Sequence, residues 1–572
     1  MKKVLKIAIG AVVLACACMS AWAAPARPVA CTLTLEDGST VRATMCGDEY
    51  GRYWVGAAGE FYTEVANGTY RRVPQADVER ARKAAEQERV MRSPGKKNLA
   101  PRGLVILANF LDVHFQPGNT QAEMDSALNG QIYTYHKSFA SAAQYFHDQS
   151  MGQYNPQFDV VGPVQLPDSL KYYGRNTGGN GSDAKAPDMV FKACSIASQI
   201  NGVNFANYDN DNDGYLDFVF IIYAGYGEND SGDPQTRTYV DSLIWAASWT
   251  MSGAVGAGKT SLPTNAPKSA YTFQGKTIGS YAYSSELNYF NTITFPTEGY
   301  DVEHPLRAGI NVFCHEFSHV LGLPDLYETL SPHGTNYNKC LTPGNWNLMD
   351  VGTYNSDGYV PPAYAPMERW WLGWGAPTLL ADSANITLPA DNQTAYYITK
   401  NGTAATATTA DTIFYVENRQ QTGWDQGLPG HGMVIWRVVF ASGAWSGNSM
   451  NNTADKPRYL HIAADSTYTY NTRTGLQGDA GDPFPGTKNV TEYLPFAGSP
   501  ITDIQELNEE ITFKFKGGAD STALDNISES DTDIQAVFAL TGTYMGNRVQ
   551  GLPAGIYLVR TSNGKTEKII VR

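Results

Sequence analysis

The stretch CHEFSHVLGLPD at 314–325 constrains this chain more than any other. It contains H-E-x-x-H, which on a helix sets two imidazoles one turn apart on the same face, where both can reach one metal ion. At roughly 100° per residue, His319 lies close to His315 around the helix axis. Ile310, Phe313, Phe317, Val320 and Leu321 fall in an arc on the opposite side. One face is therefore expected to pack into a core while the other carries the histidines. Glu316 sits beside the metal face, where a carboxylate can take a proton from a metal-bound water.

The residues after the second histidine sharpen the reading. Gly322 follows His319 by three positions and Asp325 follows by three more. Glycine terminates helices readily because it adopts positive φ, and Pro324 cannot continue one. The chain is expected to turn there and return Asp325 as a third ligand. Glu328 is an alternative third ligand. Three protein ligands and one open position describe a catalytic zinc site, whereas structural sites are closed by four. Downstream, Met349 lies in the run WNLMD.

The extended motif H-E-x-x-H-x-x-G-x-x-[H/D] points to metzincins, which carry a methionine turn beneath the metal; Met349 is the candidate. HEFSHVLGLPDLY, GNWNLMDVGTY and PMERWWLGW resemble the immune inhibitor A family of secreted zinc peptidases. So do the runs NYDNDNDGYLDFVFIIYAGYGE, YVENRQQTGWDQGLPGHGMVIWRV and GDAGDPFPG. The likeness runs over roughly 100–490 and implies a zinc endopeptidase acting on protein or peptide substrates. His315, His319 and Asp325 would hold the zinc, and Glu316 would be the general base. Activity is expected near neutral pH, because zinc lowers the pKa of bound water to about 7. Tyr354 is placed either to steady an oxyanion or simply to pack. The reading from a different class is a calcium-stabilised extracellular binding or adhesion module whose zinc is structural. Glu316 argues against it, since a structural site has no use for a carboxylate there.

At 572 residues the chain is too long for a single core. Only 17% of residues are charged, with 55 Gly and 34 Tyr, as suits an extracellular, loop-rich protein containing β structure. A net charge of −14 argues against nucleic-acid binding. The N-terminus reads as a secretory signal: Lys2, Lys3 and Lys6 precede an apolar run at 7–18 that is too short to span a bilayer, followed by Ala21-Trp22-Ala23 as a cleavage site. The mature chain is then expected to begin at Ala24, and the protein to be secreted or attached to the cell surface. A lipoprotein reading at Cys16 or Cys18 stays open. Five cysteines remain, with Cys31–Cys46 and Cys314–Cys340 as conceivable bridges and Cys194 left over; sequence alone does not settle the pairing.

The expected fold class is α/β (α+β), with a metzincin-like catalytic domain followed by an all-β region. A small β pro-domain precedes it and a small β domain closes the chain. The boundaries are 1–23 signal, 24–99 pro-segment, 100–380 catalytic domain, 381–516 all-β region, 517–533 linker and 534–572 C-terminal domain. The pro-segment comprises strands over 31–73, with Asp37-Gly38 as a hairpin signal, then a charged helix over 76–92. An exposed SPGKK at 93–97 offers a cleavage site. Within the catalytic part, GLVILA at 103–108 and FVFIIY at 218–223 read as buried strands, and helices are expected near 121–150 and 187–201. The motif helix is expected to start after His304-Pro305. The final segment is similar to the sorting domains that secretion machinery recognises on type IX cargo.

Two further readings concern metals and latency. Asp209, Asp211 and Asp213 with Gly214 form the first half of a calcium loop, Tyr215 contributing its carbonyl. The usual Glu at position 12 is replaced by Phe220, and Asp217 is expected to close the site instead. Latency is expected from a blocking ligand at the open zinc position, with Cys46, Asp48 and Glu49 as candidates. Glu417, Arg419, Trp424, Asp425 and His431 read as structural ion pairing.

Overall fold

The computed structural model describes residues 24–27, 30–48, 51–66, 68–87, 101–177, 182–230, 243–289, 304–329, 341–453, 456–468, 478–518, 534–549, 551–553, 555–562, 564 and 566–571. The expected signal sequence, the expected cleavage site at 93–97, Glu49, Cys340 and most of the expected linker from 519 on lie outside them.

A five-stranded sheet forms the scaffold of the site. Its strand order is Ala247–Thr250, Ser280–Leu287, Val219–Tyr226, Arg102–Asn109, Gln157–Gln165. The last four run parallel, and Ala247–Thr250 pairs antiparallel at one edge. Parallel strands are covered on both faces and read as continuous apolar runs, which is why GLVILA and VFIIYA are strands. Successive side chains then divide between the faces. Val105, Leu107, Phe220 and Ile222 join the cluster that holds Phe313 and Phe317 of the motif helix. Leu104, Ile106, Val219 and Ile221 join Met189, Val190 and Ala193 of the helix Ala186–Ala197 on the other side.

The motif helix spans Asn311–Val320, later than the His304-Pro305 start expected from sequence. The intervening residues are used otherwise. Leu306 O accepts from Asn288 N and Ala308 N donates to Glu286 O, so they extend along the end of Ser280–Leu287. Ile310, Phe313 and Phe317 are buried as the helical arc requires, and Val320 and Leu321 pack against the same cluster.

The N-terminal strands Ala30–Leu35, Thr40–Asp48, Gly51–Gly56, Phe61–Ala66 and Thr69–Val73 close into a small barrel, followed by the helix Gln75–Gln87. Leu33, Trp54 and Tyr70 belong to one contiguous apolar cluster with Leu104 and Val219, so the barrel packs on the five-stranded sheet. The register sets Cys31 opposite Ala43, three residues from Cys46. That offset is about 10 Å along a strand and turns the two side chains to opposite faces, too far apart for a disulfide.

Beyond the site, a second five-stranded sheet (Thr378–Leu379, Ala395–Thr399, Thr412–Arg419, Gly432–Val439, Tyr459–His461) is sandwiched between the catalytic part and a three-stranded sheet. Tyr415 and Trp436 face the cluster containing Trp346 and Met349, whereas Val416 and Ile435 face Phe513 and Phe515. The marks noted in sequence meet here as ion pairs. Arg419 Nε donates to Asp425 Oδ2 at 2.6 Å, and Arg369 Nη2 lies 3.2 Å from Glu417 Oε2, all four residues buried. His431 pairs with Glu506. Strands within 534–571 form a separate four-stranded sheet. Among the described residues no helix is long and apolar enough to cross a membrane.

Candidate metal centre and cleft

The motif helix ends as its sequence dictates. Gly322 takes φ 97°, its N–H reaches His319 O, and Leu323 N–H reaches Ser318 O. This sharp turn brings Asp325 back under the helix. His315 Nε2 and His319 Nε2 lie 3.1 Å apart, and Asp325 Oδ1 is 3.2 Å from the first and 3.3 Å from the second. All three side chains are buried.

Each imidazole is held by its other nitrogen. His315 Nδ1 donates to Leu348 O and His319 Nδ1 to Leu323 O, both at 2.8 Å. With Nδ1 protonated, both Nε2 lone pairs face inward. Burial holds the His319 pKa below the ordinary value, which favours the neutral ring, against the pull of Asp325. Burial raises the Asp325 pKa, and the pull that lowers it overall comes from His319 and His315 in their protonated form; with those rings neutral, a cation would have to supply that pull. Three inward-facing bases at these spacings, with Asp325 Oδ1 lacking a hydrogen-bond partner among the described residues, repel one another unless a cation lies between them. Ligands about 2.0–2.1 Å from a tetrahedral zinc stand about 3.3–3.4 Å apart, close to the observed triangle. The donor set fits zinc.

Glu316 is buried, and burial pushes its carboxyl well above the usual carboxylate range; Asp325 adds to the push and the Ala24 N–H opposes it. Met349 is buried, and its turn is joined to the cluster through the backbone. Its neighbour Leu348 supplies the carbonyl for His315, and Met349 O accepts from Leu326 N–H, next to Asp325. The turn is tied down by Asn347, whose Oδ1 accepts Met349 N–H and whose Nδ2 donates to Glu368. Among the described residues, Asp325 and not Glu328 joins the two histidines within ligand reach.

Several supporting residues were invisible in the motif. Asn448 donates from Nδ2 to Asp325 Oδ2 and accepts Asp325 N–H at Oδ1, both at 2.7 Å. Trp445 Nε1 donates to Gly322 O at 3.1 Å. The nearest signal is the asparagine-rich run GNSMNN at 447–452, which no spacing rule connects to the histidines.

Of the described latency candidates, neither Cys46 nor Asp48 belongs to the cluster of metal-ligating atoms around His315 and His319. Cys46 packs with Tyr53, Val55, Phe61 and Val78 in the barrel's own cluster, and its thiol donates to Thr44 O. Asp48 is buried at the end of its strand. The residue that meets the site is Ala24, whose N–H donates to Glu316 Oε1 at 2.7 Å. Tyr354, considered for the oxyanion, donates its hydroxyl to Pro25 O at 2.5 Å.

The acidic loop folds tightly. Ligand atoms of Asp209, Asp211, Asp213 and Asp217 lie within 4.8 Å of one another. Gly214, at φ 90°, takes the position that needs glycine. Asp213 N–H donates to Asp209 Oδ1 and Asp211 Oδ1, and Tyr215 N–H to Asp213 Oδ1. Burial raises the Asp217 pKa, with Asp211 and Asp213 adding repulsion. Lys276 pairs with Asp209 and offsets part of the negative charge.

Residues 110–372 match the family described as immune inhibitor A peptidase M6, catalytic domain. That span contains the triad, Glu316, Met349 and the acidic loop; it starts after the barrel and stops before Asn448. The chain is similar to "Immune inhibitor A" of Bacillus thuringiensis subsp. alesti, 25% identical over 244 residues, covering 40% of this chain and 31% of that protein. It is also similar to "Pre-pro-metalloprotease PrtV" of Vibrio cholerae serotype O1 (strain M66-2), 24% identical over 254 residues, covering 41% and 24%. The chain thus spans less than a third of the length of either relative.

Proposed function

We propose that this chain is a secreted zinc-dependent endopeptidase with a metzincin-like catalytic domain. The observation that carries the reading is the convergence of His315 Nε2, His319 Nε2 and Asp325 Oδ1, with a buried carboxylate at Glu316 on the same helix. The match to a peptidase catalytic domain over the same residues supports it.

Zinc held by His315, His319 and Asp325 would act as a Lewis acid on the peptide carbonyl and make water acidic enough to attack at neutral pH. A cation at the three ligands would favour the ionised form of Glu316 against the burial that raises its pKa, and Glu316 then takes the proton of the attacking water and returns it to the leaving nitrogen. The hydrogen bonds to Leu348 O and Leu323 O keep both imidazoles in the metal-binding tautomer. The turn around Met349 positions the Leu348 carbonyl that holds His315.

The remaining parts serve this activity. The loop Asp209, Asp211, Asp213, Tyr215 and Asp217 binds calcium and stiffens the catalytic domain against self-digestion. The barrel and helix belong to a pro-segment over 24–99, removed by cleavage within roughly 76–99. The signal at 1–23 exports the chain, and the C-terminal sheet over 534–572 is read by secretion machinery. The substrates are proteins or peptides.

The test is hydrolysis of casein after limited proteolysis, with and without a zinc chelator. Activity should vanish with the chelator and return with added zinc. A chelator-insensitive activity rules out the metal mechanism.

A further inference from the structure

Residues 24–27 run past Glu316 and are held there mostly through their backbone. Ala24 N–H donates to Glu316 Oε1 at 2.7 Å. Ala24 O accepts from Trp245 Nε1 at 2.9 Å, and Pro25 O accepts from the Tyr354 hydroxyl. Ala26 N–H donates to Gly47 O and Arg27 N–H to Asn229 O, both at 2.7 Å. The Arg27 guanidinium lies 3.3 Å from Asp357 Oδ1 and 5.4 Å from the centre of the Tyr354 ring. All four residues are buried, Ala24 completely.

A peptide bond placed for hydrolysis must present its nitrogen to the group that reprotonates it. The Ala24 nitrogen stands at Glu316, and the chain then leads away past Trp245 and Tyr354. This is the placement of a peptide on the amine side of a scissile bond. We propose that residues 24–27 are a built-in occupant of the leaving-group side of the cleft. They keep the peptidase latent, and Trp245, Tyr354, Asn229 and Asp357 are the groups that bind a substrate's amine-side residues once the strap leaves. The inference rests on the peptidase reading of the site.

The geometry also specifies what that side of the cleft accepts. Trp245 and Tyr354 donate to main-chain carbonyls and so read any sequence. The completely buried Ala24 marks a position for a small side chain next to the cleaved bond. Asp357, which Lys137 also pairs with, faces Arg27 and together with Asp230 opposes the burial that lowers the Arg27 pKa, so the position three residues further on accepts a basic side chain. A chain beginning at Ala24, as the Ala21-Trp22-Ala23 site predicts, leaves the strap with no bond at Glu316 to cleave. It then acts as a tethered product.

The tether explains why the strap stays. It enters the barrel at Ala30, and a short tether gives an effective concentration on the order of millimolar. The barrel is anchored by Arg52, whose Nη1 lies 2.8 Å from the buried Glu228 Oε1. Nicking the linker beyond residue 87 therefore does not clear the cleft until the barrel itself departs.

The test uses the full chain and two variants, Arg27→Asp, which sets a carboxylate against Asp357, and Ala26→Pro, which removes the donor to Gly47 O. Three readouts are taken: binding of an Ala-Pro-Ala-Arg peptide labelled at its C-terminus, hydrogen exchange at the Ala26 and Arg27 amides, and turnover of a quenched fluorescent peptide. The wild-type chain should protect both amides and bind the labelled peptide at least tenfold more weakly than either variant, and both variants should turn over at least tenfold faster. Equal peptide binding by all three chains, with unprotected amides in the wild type, overturns the strap. If the binding and exchange pattern holds but no chain hydrolyses any peptide, the strap stands and the peptidase reading falls. If proteolysed wild type is active while the binding and exchange pattern is absent, the strap falls and the peptidase reading stands.

Discussion

Asn448 grips Asp325 from two sides, its amide nitrogen on Oδ2 and its carbonyl oxygen on the Asp325 N–H, both at 2.7 Å across 123 residues of chain. The proposed third metal ligand is thus positioned from outside the matched peptidase segment. Hydrogen bonds to a charged group contribute about 1.5–3 kcal/mol, and partners of metal ligands commonly set metal affinity.

Replacing that grip should therefore weaken metal binding before it affects the fold. Asn448→Ala should lower zinc affinity about 10–100-fold, read by competition with a chromophoric chelator. Unchanged affinity in a folded variant would show that Asp325 orients itself.

Calcium should act on stability and not on chemistry. At a hundred times its dissociation constant, a ligand that binds only the folded state stabilises it by about 2.7 kcal/mol. Wild-type protein should melt lower in a calcium chelator, and Asp211→Ala/Asp213→Ala should melt at that lower temperature in either condition. A double variant that matches the wild type in both buffers removes the case for this site.

Glu286 predicts a pH dependence. It is completely buried, and it accepts from Gln116 N–H, Asn119 Nδ2 and Gly225 N–H. Burial pushes its carboxyl up to about 7 from an ordinary 4.5, against those hydrogen bonds. A folded pKa above the unfolded one means the native state holds the extra proton. Its stabilising contribution is complete below about pH 4.5 and is lost as pH rises through about 7, amounting to about 3 kcal/mol at most. Glu286→Gln does not titrate. Its melting temperature should therefore gain on the wild type by at least about 3 °C between pH 5 and pH 8. Any cost from the poorer acceptor geometry is the same at both pH values. A pH-independent difference would place the Glu286 pKa in the ordinary range.

What sequence revealed was whatever repeats or terminates locally. The arc of Ile310, Phe313 and Phe317, the strands flanking Leu104 and Val219, the turn at Gly322 and the carboxylate spacing at Asp209 each follow from a few neighbouring residues. The start of the motif helix was misplaced because Leu306 and Ala308 pair with the end of a strand, a tertiary use that overrides the Pro305 signal. The longest-range contacts had no local trace. Ala24 meets Glu316 across 292 residues, and nothing in Ala-Pro-Ala-Arg marks it as an occupant of the cleft. The attention that Cys46 drew came from its chemistry, but the pleat turns it into the barrel's own small core, beside Tyr53 and Phe61.

The most direct test of the central claim is a paired measurement on the proteolysed wild type and Glu316→Gln: zinc content by elemental analysis and turnover of casein. Both proteins should carry one zinc per chain, while the variant should lose about 10²–10⁴-fold in turnover. A variant that holds zinc and cleaves casein at the wild-type rate would contradict the assignment of Glu316 as the base. A wild-type protein that binds no zinc would contradict the site itself.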